Sequence, residues 1–217
     1  MNRFELIVFD WDGTLMDSTG AIAGALQAAA RDLGLAEPSD ERARHIIGLG
    51  LRDALAHALP DLPEAQYRPL AERYRYHFLA GDSELGLFAG IPELIAGLSR
   101  SGRLLAVATG KTRQGLQRAM ANSGLEAMFN SSRCADECHS KPNPQMLFEL
   151  MDELGVLPER TLMIGDTTHD LLMARNAGVA ALAVSYGAHP RAELLAAAPL
   201  ACAASVAEMQ HWLDTHA

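Results

Sequence analysis

The chain has 217 residues, 49% of them apolar, and its 18 basic against 27 acidic side chains give a formal net charge of −9. That length suits one large domain or a domain with a smaller insertion, and the acidic excess speaks against nucleic acid or anionic membrane as partner, since both need basic surface. Three cysteines, Cys134, Cys138 and Cys202, make no disulfide framework, and no targeting segment or apolar run of about 18 residues is present, so a soluble, cytoplasmic protein is expected.

The apolar run Phe4-Glu5-Leu6-Ile7-Val8 leads into the turn Phe9-Asp10-Trp11-Asp12-Gly13-Thr14-Leu15. This pattern predicts a buried parallel strand whose C-terminal end carries two carboxylates. Ligands of open α/β sheets bind outside the carboxyl ends of strands. One such carboxylate can attack a phosphoryl group, the second can move protons, and a cation is needed to keep both ionised.

Residues 20–33 place Ile22, Leu26, Ala29, Ala30 and Leu33 at helical spacing and stop at Gly34. Pro38-Ser39-Asp40-Glu41 starts a second helix, and the glycine-rich Ile46-Ile47-Gly48-Leu49-Gly50-Leu51 interrupts it. Further helices are expected over about 52–59 and 63–78. A βα crossover needs far fewer residues than this block of roughly seventy. It therefore reads as an inserted helical domain, residues 16–84, set into a sheet domain of residues 1–15 and 85–217.

The α/β pattern resumes near Leu85. Gly90-Ile91-Pro92-Glu93 opens a helix, and Leu104-Leu105-Ala106-Val107-Ala108 is a buried strand ending in Thr109-Gly110-Lys111. A helix over 114–123 stops at Gly124, and a weaker strand is expected over 129–134. Lys141-Pro142-Asn143-Pro144 is a rigid turn before a helix over 145–154. Thr161-Leu162-Met163-Ile164 is a strand running into Gly165-Asp166-Thr167-Thr168-His169-Asp170. A helix over 171–177 capped by Gly178, a strand over 180–184 and a last helix begun by the capping box of Ser205 and Glu208 complete the chain. The fold class is α/β, a Rossmann-like parallel sheet with a helical insertion.

Four polar clusters follow strands or lie in turns beside them: Asp10 with Asp12, Thr109, Lys141, and Asp166 with Asp170. Strand ends of a parallel sheet share one edge, so most of these converge. Carboxylates, a hydroxyl and an ammonium suit an oxygen-ligated Mg²⁺ and a phosphoryl group.

These residues resemble the four motifs of the haloacid-dehalogenase-type hydrolase superfamily, in the branch with a helical cap, over essentially the whole chain. The resemblance implies that Asp10 attacks phosphorus and that Asp12 protonates the leaving oxygen and then activates water. It implies that Thr109 and Lys141 hold phosphoryl oxygens, and that Mg²⁺ is held by Asp10, the Asp12 carbonyl and Asp166, with Asp170 in support. Asp12 points to phosphate esters rather than to dehalogenation. The cap segment 44–51 resembles that of phosphoglycolate-phosphatase-like members. The expected function is thus a Mg²⁺-dependent phosphatase acting on a small phosphorylated metabolite, as a monomer or homodimer. A phosphomutase of the same branch is the alternative, and a catalytically silent binding domain a more distant one. One departure stands out: Gly110 replaces the asparagine that much of the family has after the hydroxyl residue.

Other polar residues read as structural. Cys134, Cys138 and His139 lack a fourth ligand for a zinc site. Lys111 is expected at an exposed helix start, His189 on a surface loop, and Arg44, His45 and Arg52 as solvated cap charges. The Arg- and Tyr-rich stretch 67–76 reads as an amphipathic helix that snorkels its charges. Gly48 and Gly50 either bring a loop close to the substrate or merely turn the chain.

Overall fold

The structure, a computed structural model, describes residues 3–82 and 85–217. Glu84, where the helical insertion was expected to end, lies outside the described residues, as does Met1. Six strands form one wholly parallel sheet in the order β3-β2-β1-β4-β5-β6. They are β1 (Leu6–Phe9), β2 (Leu104–Thr109), β3 (Ser131–Cys134), β4 (Thr161–Gly165), β5 (Ala180–Val184) and β6 (Ala201–Ala203). The first three strands step one way from the centre and the last three step the other way. The order reverses between β1 and β4, and the crevice outside their carboxyl ends is where such sheets place ligands.

Alternate side chains of each central strand enter opposite cores, as strands covered on both faces must. Ile7, Phe9, Leu105, Val107 and Ile164 join one cluster with α5 (Ile91–Arg100), α6 (Arg113–Ser123) and α10 (Val206–His216). Leu6, Val8, Ala106, Ala108 and Met163 join the other with α7 (Gln145–Leu154) and α8 (Thr168–Asn176).

Between β1 and α5 the described residues form four helices: α1 (Thr19–Asp32), α2 (Asp40–His45), α3 (Leu51–Ala58) and α4 (Glu64–Gly81). They bury a hydrophobic cluster of their own, built on Leu26, Ala29, Ala43, Leu55, Ala58 and Leu70. Arg73 and His77 of α4 both meet Asp32 at the end of α1, so the charges of this helix tie it to its neighbour. Met16, at the start of the insertion, is buried with the sheet's cluster and bridges to Asp12 and Leu87.

Among the described α-helices and strands, two were not foreseen, α9 (Arg191–Ala196) and the edge strand β6. Their alanine-rich sequence carries little periodicity, and β6 is a strand because β5 offers it a free edge. Helix α8 starts three residues earlier than expected, because Thr167 and Asp170 form a capping box. Gly178 stands one position past the cap residue Ala177, in the left-handed conformation that closes such helices. Ser205 caps α10 by accepting from Glu208 N, but the Glu208 carboxylate takes Ala204 N at 2.8 Å, so the reciprocal half of that box is displaced by one residue.

Candidate active site

Asp10 follows β1 directly, and its N–H donates to Ile164 O of β4 at 2.9 Å, which fixes it at the reversal point of the sheet. Asp166 follows β4. Its Oδ1 accepts from Thr14 Oγ1 at 2.8 Å and its Oδ2 from Ala188 N at 2.7 Å. Gly13 and Gly187 crowd this carboxylate so closely that a β-carbon on either would overlap it. Gly13 also has φ +79°, so two demands select glycine there. Asp170 occupies the first turn of α8, where Oδ2 accepts from Thr167 Oγ1 at 2.7 Å and Thr167 N at 3.2 Å.

Lys141 joins these groups. Its Nζ lies 2.8 Å from Asp10 Oδ1 and 2.6 Å from Asp170 Oδ1, with the side chain 0% exposed. Asp10, Asp166 and Asp170 bring carboxylate oxygens within 4.8 Å of one another. Asp10 Oδ1 also accepts from Trp11 N at 2.7 Å, whereas Asp10 Oδ2 is buried with no partner. Three carboxylates thus face the Lys141 ammonium in a buried site, an excess of two negative charges when all are ionised. Burial holds the Asp10 carboxyl well above the usual carboxylate range, against the pull of Lys141. Burial, with Asp170 nearby, pushes Asp166 up to about 7. Burial alone would lower the Lys141 ammonium, but Asp10 and Asp170 outweigh it and hold that group above its ordinary value. A divalent cation would balance that excess. The orphaned Asp10 Oδ2 and an all-oxygen donor set fit a hard ion such as Mg²⁺.

Asp12 stands apart from this cluster. Its Oδ1 accepts from Ser18 Oγ at 2.6 Å and pairs with Lys111 Nζ at 3.0 Å, and the residue lines a cavity between the sheet and the inserted helices. Thr109 ends β2. The register that pairs Phe9 with Val107 brings its buried hydroxyl to the same sheet edge. All six residues singled out in the sequence therefore reach this edge. Two carboxylates two residues apart, both buried, are separated into one enclosed with Lys141 and one that faces the cavity.

Residues 7–184 match the family described as haloacid dehalogenase-like hydrolase. The chain belongs to that family. It is 38% identical over 200 residues to the probable phosphatase IndB of Dickeya dadantii, covering 89% of this chain and 86% of that protein. It is 32% identical over 188 residues to a phosphoglycolate phosphatase of Agrobacterium fabrum, covering 84% and 81%. Among solved structures it resembles the haloacid dehalogenase-like family protein SP0104 of Streptococcus pneumoniae, with a TM-score of 0.84 and 28% identity over 98% of this chain and 99% of that one. The enzyme class expected from the four motifs, a haloacid dehalogenase-like phosphatase, is the one these comparisons support.

In this haloacid dehalogenase-like hydrolase the loop between α2 and α3 of the inserted helices packs over the sheet edge. A β-carbon on Gly110 would fall 2.5 Å from Leu49 O and 2.7 Å from Gly48 O, so the cap loop lies where a side chain after Thr109 would stand. A β-carbon on Gly48, which has φ +90°, would lie 3.7 Å from Asp10 Oδ2. Gly50 instead docks on the sheet domain, donating its N–H to Ser140 Oγ at 2.8 Å. Of the two loop glycines, Gly48 approaches the site.

Several structural readings of single residues are corrected. Lys111 is only 9% exposed in its side chain, pairs with Asp12 and lies 4.9 Å over the Phe78 ring, because the closed cap covers the start of α6. His189 is 2% exposed. Its Nδ1 accepts from Thr168 N at 3.1 Å, which leaves Nε2 to donate to His45 O at 3.0 Å. His169 Nε2 reaches the same carbonyl at 2.9 Å, and the His45 ring stacks on His189 at 4.5 Å. Burial, reinforced by His169, holds His189 down at about 4, so it is neutral at physiological pH. The cysteines stay structural: burial raises the Cys134 thiol to about 12 and the Cys138 thiol to about 11. Thr14, Ser18 and Thr167 were not singled out. Thr14 stands inside the first motif and was legible there, but Ser18 is identified only by the fold of the turn. Among the described residues no helix is long and apolar enough to cross a membrane.

Proposed function

We propose that this enzyme is a Mg²⁺-dependent phosphatase that hydrolyses a small phosphate monoester, of the phosphoglycolate type, through an aspartyl-phosphate on Asp10. The observation that carries this reading is the buried Asp10 carboxylate, with one oxygen held by Lys141 and Trp11 N and the other free. An Asp10 oxygen attacks phosphorus and the ester P–O bond breaks. Asp12, on the cavity side, gives its proton to the departing oxygen. In the second half, Asp12 takes a proton from water as that water attacks the phosphorus, releasing phosphate and restoring Asp10. Lys141 and Thr109 hold phosphoryl oxygens, and Asp170 with Thr167 holds Lys141 in place.

Asp10, the Asp12 carbonyl and Asp166 would hold Mg²⁺, with Thr14 and Ala188 N fixing Asp166. When bound, the ion supplies charge stabilisation to the phosphoryl oxygens. The closed cap excludes water from the attacking carboxylate, which strengthens every electrostatic contact there. The similarity to a phosphoglycolate phosphatase supports a compact ester as the reference substrate.

The test is phosphate release from 2-phosphoglycolate with Mg²⁺, combined with acid-quenched trapping of radiolabelled phosphate on the protein. Asp10→Asn should abolish both signals, and EDTA should remove turnover reversibly. Undiminished turnover in Asp10→Asn or in excess EDTA would falsify the mechanism.

A further inference from the structure

Asp12 opens onto a cavity of about 190 Å³ between the cap and the start of α6. Such a volume has room for on the order of a dozen waters, so the two-carbon body of glycolate would leave most of it unfilled. Its walls are mainly apolar. Tyr74 and Phe78 of α4 stack at 5.9 Å between centroids and 18° between planes, and Ile47 and Leu49 line the cavity from the cap loop. An apolar, flat group is what this wall can desolvate favourably.

The polar groups define the other half of the ligand. Lys111 Nζ stands between Asp12 Oδ1 at 3.0 Å and the Phe78 ring at 4.9 Å, with the side chain largely buried. Lys111 lines the cavity, and its ammonium carries three donors, more than the Asp12 contact uses. An anionic group on the leaving group, close to the ester oxygen, would take up the donors that face the cavity. The Tyr74 hydroxyl makes no hydrogen bond to another described residue and remains free for the ligand.

We propose that the preferred substrates are phosphate esters of 2-hydroxy acids with a bulky apolar or aromatic side chain, whose carboxylate pairs with Lys111 while the side chain packs on Tyr74 and Phe78. This assignment rests on the phosphatase reading and makes Lys111 and Phe78 specificity-determining residues.

Three esters separate the two features, assayed with Mg²⁺ present. 2-Phosphoglycolate has the carboxylate alone, 2-phenylethyl phosphate the ring alone, and 2-phospho-3-phenyllactate both. The last should exceed each of the others by about tenfold or more in kcat/KM. Phe78→Ala should reduce its advantage over 2-phosphoglycolate, and Lys111→Met its advantage over 2-phenylethyl phosphate. A best rate with 2-phosphoglycolate overturns the proposal and leaves the phosphatase reading standing. A gain from the ring with none from the carboxylate also overturns it. Absence of any hydrolysis would sink the phosphatase reading, so the cavity is tested separately by calorimetric titration of the leaving groups in phosphate buffer. 3-Phenyllactate should bind about tenfold more tightly than glycolate and lose that margin in Phe78→Ala. Equal binding overturns the proposal.

Discussion

Replacing Lys141 by methionine keeps most of the side-chain volume and removes a cation that touches two buried carboxylates, Asp10 at 2.8 Å and Asp170 at 2.6 Å. Removing one partner of a fully buried ion pair costs about 3–5 kcal/mol, because the other charge is left without compensation. For a chain of this size each kcal/mol lowers the melting temperature by about 2–4 °C, so a fall of roughly 6–20 °C is expected for the metal-free protein at pH 8. The sign with pH follows from Asp10, whose carboxyl already lies above its unfolded value through burial. Loss of the ammonium raises it further. The folded variant then binds more protons than the unfolded chain, and its stability falls as pH rises. The deficit against wild type should therefore be smaller at pH 5 than at pH 8, since falling pH favours the protonated Asp10 carboxyl. Differential scanning calorimetry in EDTA at the two pH values measures both quantities. A Lys141→Met protein that melts within a degree of wild type at pH 8 would refute the claim that Lys141 neutralises this cluster.

Metal and pH should be linked through Asp166, whose carboxyl sits at about 7 in the folded protein against an ordinary 3.8. Its contribution to the metal-free stability is complete below about pH 4 and lost as pH rises through about 7, so added Mg²⁺ should raise the melting temperature at pH 8 far more than at pH 5. An equal Mg²⁺ effect at both values would contradict this. Gly110→Ala would push a β-carbon into the carbonyls of Leu49 and Gly48, so turnover should fall by about tenfold, with faster hydrogen exchange over residues 46–50. Unchanged exchange there would show that the loop does not rest on Gly110. Thr14→Val removes the 2.8 Å hydrogen bond to Asp166 Oδ1, which should lower stability by about 1–3 kcal/mol and weaken Mg²⁺ binding measured by calorimetry. Wild-type Mg²⁺ affinity in the folded variant would remove Thr14 from the support of that carboxylate.

Much of this was legible in the sequence because apolar strands ending in acids are a local pattern. The runs before Asp10, Thr109 and Asp166 are short, β-branched or aliphatic, and buried on both faces, and the parallel sheet then brings their ends to one edge. What escaped depends on contacts between segments far apart in the chain. Lys111 looks like any helix-start lysine until the cap closes over it and sets Phe78 beside it. His189 looks like a loop histidine until His45, 144 residues away, lends its carbonyl and its ring. Strand β6 lacks a signal of its own, since Ala201-Cys202-Ala203 is a strand only by virtue of the edge it completes.

The hydrogen bonds that seat the cap loop on the sheet domain use the loop's main chain. Gly50 donates its N–H to Ser140, and the His45 carbonyl receives both His169 and His189. Backbone atoms are present whatever the side chain, so docking survives most changes of sequence in the cap. The side chains of α4 that face the cavity, such as Phe78 over Lys111, add contacts to this docking but none of these hydrogen bonds. A change of shape at Phe78 would leave the backbone hydrogen bonds of the loop in place, so the cavity wall and the seating of the loop can vary separately.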